Sequence, residues 1–370
     1  MLTGEKSTKR SIQTQTCVIF FSSGSDCLNK QKNKSAWSTD ELDAIMKARS
    51  KKAIARFCQD ATAGVSNTKL LRMIKYVDGY WYDFIRPTLV SLSCEAVGGQ
   101  TCKVLDVEVM LSLADAGISI HDDIIDNTVV KKFRRTIFGL YGLNEALLAG
   151  DLLQMQGWST LSKLLRKGYP PAKVAQCVDA YANCCINMCE SQILETSFRK
   201  NLLTDLAAYN EMLWKANSSI MACTQLGAIL GNGTQREVRA LTDFGKSLGL
   251  LFGLKDEVKD TLNIEGNLLG RLKNESVPLP ILYAAKTSDS SSSRIKLILS
   301  KEAIDSLDVK ELLERCFETK AFDYILHIAG QESNSALAQL NQLKSTEAKD
   351  YLNLILEKLT NHVSEIICGN

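Results

Sequence analysis

Histidine and proline are both scarce in this chain of 370 residues, with three of the first and five of the second. His121, His327 and His362 are too few and too scattered to build a histidine-rich metal site. So few prolines suit a helical protein, because proline breaks helices. No apolar run approaches the length of a membrane span. The twelve cysteines include no CxxC pair. Cys184, Cys185 and Cys189 lie close together but have no His or Cys partner at zinc-finger spacing. They read as small buried hydrophobes in a reducing compartment. The formal net charge is only +2, which implies no large basic face for nucleic acid.

What is present is helical period, over most of the length. Residues 1–36 stand apart: they are rich in Lys, Ser, Gln and Thr, and hold one brief apolar run from Cys17 to Phe21. That run is too short for a signal-peptide core. The segment is expected to be a disordered or extended tail on a cytoplasmic protein, with organelle targeting as the alternative. Order is expected from Ser38-Thr39-Asp40-Glu41, which reads as a capped helix start. Periodic segments follow at 40–60, 68–77, 86–97, 104–126, 143–166, 172–197, 202–231, 234–263, 276–286, 301–316, 320–342 and 345–366. Turn chemistry separates them, as at Gly168-Tyr169-Pro170-Pro171 and Asp289-Ser290-Ser291-Ser292-Ser293. No hairpin signal interrupts the pattern. The expected fold is all-α: residues 37–370 as one large bundle of about 10–13 helices around a central cavity.

Two acidic clusters carry the chemistry. Asp122-Asp123-Ile124-Ile125-Asp126 and Asp256-Glu257-Val258-Lys259-Asp260 each place acids at i, i+1 and i+4, so that the first and last share one helix face. Like charges crowded in this way repel, and acids at a helix C-terminus also oppose the macrodipole. Each cluster ends a helix with a largely apolar body, Val107–His121 in one case and 244–255 in the other. A hard divalent cation reverses the cost, since Mg²⁺ is usually held by a few carboxylates together with substrate phosphates. Asp122, Asp123, Asp126, Asp256, Glu257 and Asp260 are therefore candidate Mg²⁺ ligands, although Glu257 can equally turn away. Two facing clusters would grip a diphosphate.

With these residues in view, the chain over roughly 40–365 resembles the trans-isoprenyl diphosphate synthases. The two clusters match the aspartate-rich motifs of that family, with Glu257 where Asp is usual, and His121 and Phe252 fit the residues before them. Arg86-Pro87 resembles the end of the N-terminal glycine-lysine-arginine motif. Leu148-Ala149-Gly150-Asp151-Leu152-Leu153, Glu190-Ser191-Gln192 and Lys215 resemble further family segments. Asp83, Phe84, Asp115, Lys131-Lys132, Ala216 and Gly253 depart from the pattern, and the lysine-rich loop after the second motif is shortened to 271–278. By the resemblance, Asp83 and Asp115 fall in the isopentenyl diphosphate pocket, where Asp83 repels what a lysine attracts. Lys131 and Lys132 keep charge but lose the guanidinium fork, and the run from Lys131 to Arg135 also reads as a solvated basic loop.

The resemblance implies three Mg²⁺ ions bridging the clusters and the allylic diphosphate, with Lys215 and Lys255 nearby. It implies Arg86 with Lys131 or Lys132 on the second diphosphate, Gln192 in the substrate site, and a homodimer. Asp122, Asp126, Lys215 and Asp256 are the residues expected to carry catalysis. Leu111, Ala114, Gly117 and Ile118, below the first motif, put no aromatic residue in the path of the prenyl chain, which implies a product of about C20 or longer. Three functions stay open: condensation of an allylic with an isopentenyl diphosphate, ionisation of the allylic diphosphate without condensation, or a partner subunit of a heteromeric synthase.

Overall fold

The long periodic segments all become helices in the computed structural model, which describes residues 39–131, 133–266 and 268–369. The expectations for residues 1–36 and for Lys132 lie outside the described residues. In chain order the first helices are α1 (Thr39–Ala61), α2 (Thr68–Asp78), α3 (Ile85–Ala96) and α4 (Leu105–Ile125). A hairpin of β1 (Val130–Lys131) and β2 (Arg134–Arg135) leads to α5 (Ile137–Tyr141), α6 (Leu143–Arg166) and α7 (Pro171–Phe198). Then come α8 (Leu206–Ala216), α9 (Ser218–Leu230), α10 (Gln235–Thr261), α11 (Leu268–Asn274) and α12 (Leu279–Thr287). The chain finishes with α13 (Asp289–Leu299), α14 (Ser306–Glu318), α15 (Ala321–Leu340) and α16 (Glu347–Cys368).

α4 is buried on nearly every face, as its apolar sequence requires, and packs mainly on α6. α10 starts in a capping box, Thr234 with Glu237, and packs on α9 and α15. Missing side chains permit the closest crossings. A Cβ on Gly227 of α9 would strike the Val90 carbonyl oxygen of α3, and one on Gly245 of α10 would strike Thr224 of α9.

Four features differ from the sequence reading. The stretch 202–231 is not one helix but α8 and α9, broken at Asn217. There the side-chain Nδ2 donates to the Leu213 carbonyl at 3.0 Å, so the asparagine competes with the helical ladder. The serine-rich stretch after Asp289 is not a turn but the first turn of α13, capped by Ser288, whose hydroxyl accepts from the Ser291 N–H at 3.2 Å. A short hairpin does exist, with Val130 opposite Arg135 and Lys131 opposite Arg134. Its turn carries no Asn-Gly or Asp-Gly signal, and Phe133 takes φ 60° at its tip. The short helices α5 and α11 also escape period analysis, which raises the number of α-helices among the described residues to sixteen.

Candidate active site

The acidic clusters occupy the C-terminal ends of α4 and α10 and face one open cleft of about 810 Å³. Asp122, Asp126, Asp256 and Asp260 line it, and the buried side chains of Met212 and Leu213 give part of its wall an apolar surface. Asp122 and Asp256 are the open members, with 36% and 59% of their side chains exposed. Lys131 Nζ lies 3.7 Å from Asp122 and 3.5 Å from Asp123. Lys255 Nζ is 3.2 Å from Asp256 and sits over the Phe252 ring at 4.8 Å. Both lysines line the cleft. Burial would lower the Lys131 pKa, but Asp122 and Asp123 outweigh it and hold the ammonium charged.

Several acids here are held in excess of their cations. Burial, with the charges of Asp122, Glu275 and Glu195 added, pushes Asp126 up to about 8 against the opposing pull of Arg199. Burial pushes Asp123 up to about 6 despite Lys131, and Asp123 Oδ1 is buried without a hydrogen bond. Among the described residues no three His, Cys, Asp or Glu side chains form a ready-made metal cage. Surplus negative charge on hard oxygen donors around an open cleft nonetheless suits Mg²⁺, which fills its remaining positions with water or phosphate oxygens.

The second cluster is arranged differently from the first. Glu257 is 2% exposed, and its two oxygens are engaged by Arg271, the Leu279 N–H at 2.5 Å and the Tyr209 hydroxyl at 3.2 Å. Glu257 thus borders the cleft with both oxygens already taken by protein donors. Arg271 also pairs with Asp260 Oδ2, which leaves that carboxylate one other oxygen. Asp256 is therefore the freest acid of its cluster.

Other expectations need correction. Lys215 is held by Glu190 at 2.8 Å and Glu211 at 2.6 Å and does not line the cleft, where its neighbours Ala216 and Asn217 do. Gln192 is likewise absent from the lining, which Ser191 joins instead, because adjacent helical residues point about 100° apart. Arg86 is not free for a second diphosphate. Its Nη2 lies 2.5 Å from Asp115 Oδ1, its Nη1 3.6 Å from Asp83 Oδ2, and its Nε donates to Ser219 at 3.1 Å. Asp83 also caps α3, accepting from the N–H groups of Ile85 and Arg86 at 3.1 Å. Gly117 does not wall a tunnel, since an added Cβ would lie 2.8 Å from the Gly150 carbonyl oxygen of α6. α4 brings no aromatic residue here, but α6 and α7 supply Trp158 and Tyr181, their rings 4.5 Å apart. The Tyr181 hydroxyl reaches the α4–α6 crossing beside Gly157.

Arg199, Arg271, Glu195 and Glu275 are the residues sequence reasoning missed. Arg199 follows α7 and places Nη2 3.1 Å from Asp126 Oδ1, while its backbone bridges Ser276. Glu195 had one available signal, its place a helical turn beyond Ser191 on α7. Arg271 and Glu275 fall in the stretch 271–278 that the resemblance marks only as a shortened loop, and nothing local marks Arg199.

The polyprenyl synthetase family model matches residues 71–316, a span that encloses both acidic clusters. A short chain isoprenyl diphosphate synthase of Methanothermobacter thermautotrophicus is 27% identical over 303 residues, 81% of this chain and 92% of that one. A geranylgeranyl diphosphate synthase of Methanosarcina mazei is 27% identical over 270 residues, 72% of this chain and 82% of that one. Among solved structures, geranylgeranyl pyrophosphate synthetase from Pyrococcus horikoshii shares the fold with a TM-score of 0.77 at 23% identity, covering 87% of this chain and 98% of that one. The matched span covers about two thirds of the chain, including both acidic helix ends that meet at the cleft, and the chain is an enzyme of the polyprenyl synthetase family.

Proposed function

We propose that the chain is a Mg²⁺-dependent prenyltransferase that binds an allylic prenyl diphosphate between its acidic clusters and joins it to isopentenyl diphosphate, giving a product of about C20 or longer. The observation that carries this reading is the single cleft shared by Asp122, Asp126 and Asp256, with Met212 and Leu213 in its wall. Asp122, Asp126 and Asp256 would hold the metal, with Asp123 and Asp260 in support. Bound Mg²⁺ supplies neutralisation of the diphosphate charge as it leaves. Lys131 and Lys255, already at the rim, add positive charge to the same oxygens. The apolar wall keeps water from the carbocation. The names of the relatives, short chain isoprenyl and geranylgeranyl diphosphate synthases, support the product class.

A second reading has an observation of its own in its favour. The position that the resemblance gives to the second diphosphate is filled by the Asp83–Arg86–Asp115 triad. An arginine held by two carboxylates has little to offer a diphosphate, which favours ionisation of the allylic substrate without condensation. Incubation with Mg²⁺ and farnesyl diphosphate, with and without labelled isopentenyl diphosphate, separates the two. Label in a longer prenyl diphosphate supports condensation. Hydrocarbon or alcohol formed equally in both supports ionisation alone. Asp122→Ala is expected to lower diphosphate release at least about a hundredfold in either case, and unchanged release would remove the metal assignment.

A further inference from the structure

With Arg86 held by two carboxylates, a second diphosphate needs another place. Beside the cleft lies a smaller pocket of about 240 Å³, lined from α1, α3, α10 and α16. Its floor is apolar, with Leu42 and Met46 of α1, Ile85 of α3, Phe252 of α10, and Ile355 and Leu359 of α16. Phe252, Lys255 and Lys259 recur at helical spacing on α10, and Ile355, Lys358 and His362 do so on α16, so each helix turns a stripe that is apolar and basic to the pocket. Lys255 and Lys259 line the cleft as well, so one turn of α10 borders both cavities. Lys255 is partnered by Asp256 at 3.2 Å and Lys358 by Asp43 at 2.8 Å, whereas Lys259 engages no carboxylate among the described residues. Burial, then the charges of Lys259, Lys255 and Lys358, hold the His362 imidazole below its ordinary range against the pull of Glu365, so three ammonium groups act on one place.

We infer that this pocket binds isopentenyl diphosphate, with Lys259, Lys358 and Lys255 on the diphosphate and the five-carbon chain against Phe252 and Ile85. The inference rests on the condensation reading above and gives the second substrate the place that the Arg86 triad does not. Size selects the occupant. Pockets for drug-sized ligands run to about 300–1,000 Å³, so about 240 Å³ suits a five-carbon diphosphate and not a farnesyl one. Ammonium groups on flexible stems meet diphosphate oxygens as point charges. The shared turn of α10 keeps that molecule next to an allylic diphosphate in the cleft.

The test measures equilibrium binding of labelled isopentenyl diphosphate to the full chain in EDTA. No allylic partner is present for turnover, and the acids of the cleft, without metal, repel a diphosphate. Lys358→Ala is the variant that decides, since Lys358 lines this pocket and not the cleft. Its affinity is expected to fall by about tenfold or more, as is that of Lys259→Ala, while Lys310→Ala, an exposed lysine of α14, stays within about twofold. A wild-type chain that binds no isopentenyl diphosphate, or a Lys358→Ala chain that binds it as well as wild type, overturns the inference. With Mg²⁺ and farnesyl diphosphate added, Lys358→Ala should raise KM for isopentenyl diphosphate about tenfold and leave KM for farnesyl diphosphate within about twofold. The two failures stay apart. Binding that depends on Lys358, without label in a longer prenyl diphosphate, refutes condensation and leaves the site. Label incorporated with an unmoved KM removes the site and leaves the reaction.

Discussion

At the scale of single residues, the two acidic clusters are alike in sequence and unlike in surroundings. Asp256 is open to the cleft while Glu257 is closed in by Arg271, Tyr209 and the Leu279 N–H. Asp256→Asn is therefore expected to raise the Mg²⁺ needed for half-maximal turnover by about tenfold or more, and Glu257→Gln to leave it within about threefold while lowering Tm. Mg²⁺ titration of initial rates, with a thermal melt of each variant, checks the pair. Glu108 offers a test away from the site. It is buried in α4, and burial lifts it from 4.5 to about 8 against the pull of Arg49 and Lys52. A raised carboxyl pKa makes folding favour the protonated form. The contribution is whole below about 4.5 and is lost as pH rises through about 8. Glu108→Gln should thus match wild type near pH 4 and be more stable above pH 8 by roughly 1–3 kcal/mol, read by chemical denaturation at both pH values. The acids that repeat along one helix face were legible without a structure. Arg271 and Arg199 were not, because their meaning comes from approaches across 11 and 73 residues of chain that no local spacing records.

At the scale of elements, helix crossings set the geometry of the cleft. Gly227→Ala would push α9 off the Val90 carbonyl of α3, and α9 follows directly from the Asn217 break that borders the site. A loss of about 1–3 kcal/mol is expected in urea unfolding. Trp158 and Tyr181 stand where α6 and α7 meet the underside of α4. Trp158→Leu is expected to lengthen the longest allylic diphosphate accepted by about one five-carbon unit, with competition among chain lengths as the measurement. The long helices were readable because a 3.6-residue period over twenty residues is a strong signal. Where it failed, at Asn217 and Ser288, a polar side chain bonded the backbone, an event that the apolar pattern does not contain. The expectation about the prenyl path covered α4 alone, and the aromatic pair Trp158 and Tyr181 lies on two other helices.

At the scale of the whole molecule, α6 and α7 leave apolar side chains uncovered. Leu143, Leu147, Leu148 and Met155 of α6 and Ile186 and Ile193 of α7 are all exposed. Such a concentration on neighbouring helices fits a self-complementary interface of the kind expected for a homodimer. Sedimentation velocity should show a dimer for the wild type and a monomer for the Leu148→Glu, Ile193→Glu double variant. The bundle class was legible from the whole chain, since sustained helical period with few prolines admits little else. The arrangement of its surface was not, because an apolar residue facing a neighbour reads the same as one facing the core.

The cations that rest against the acidic clusters have one more consequence. Lys131, Arg199, Lys255 and Arg271 each rest against a different part of the acidic clusters. The protein thus carries its own counter-ions for the interval between one substrate and the next, and chelation should leave it folded, with a melting temperature that hardly moves. Salt should matter more than chelator, because added ions compete for those same pairs. A chain prepared in EDTA would then be a dormant enzyme ready to be charged, not a damaged one.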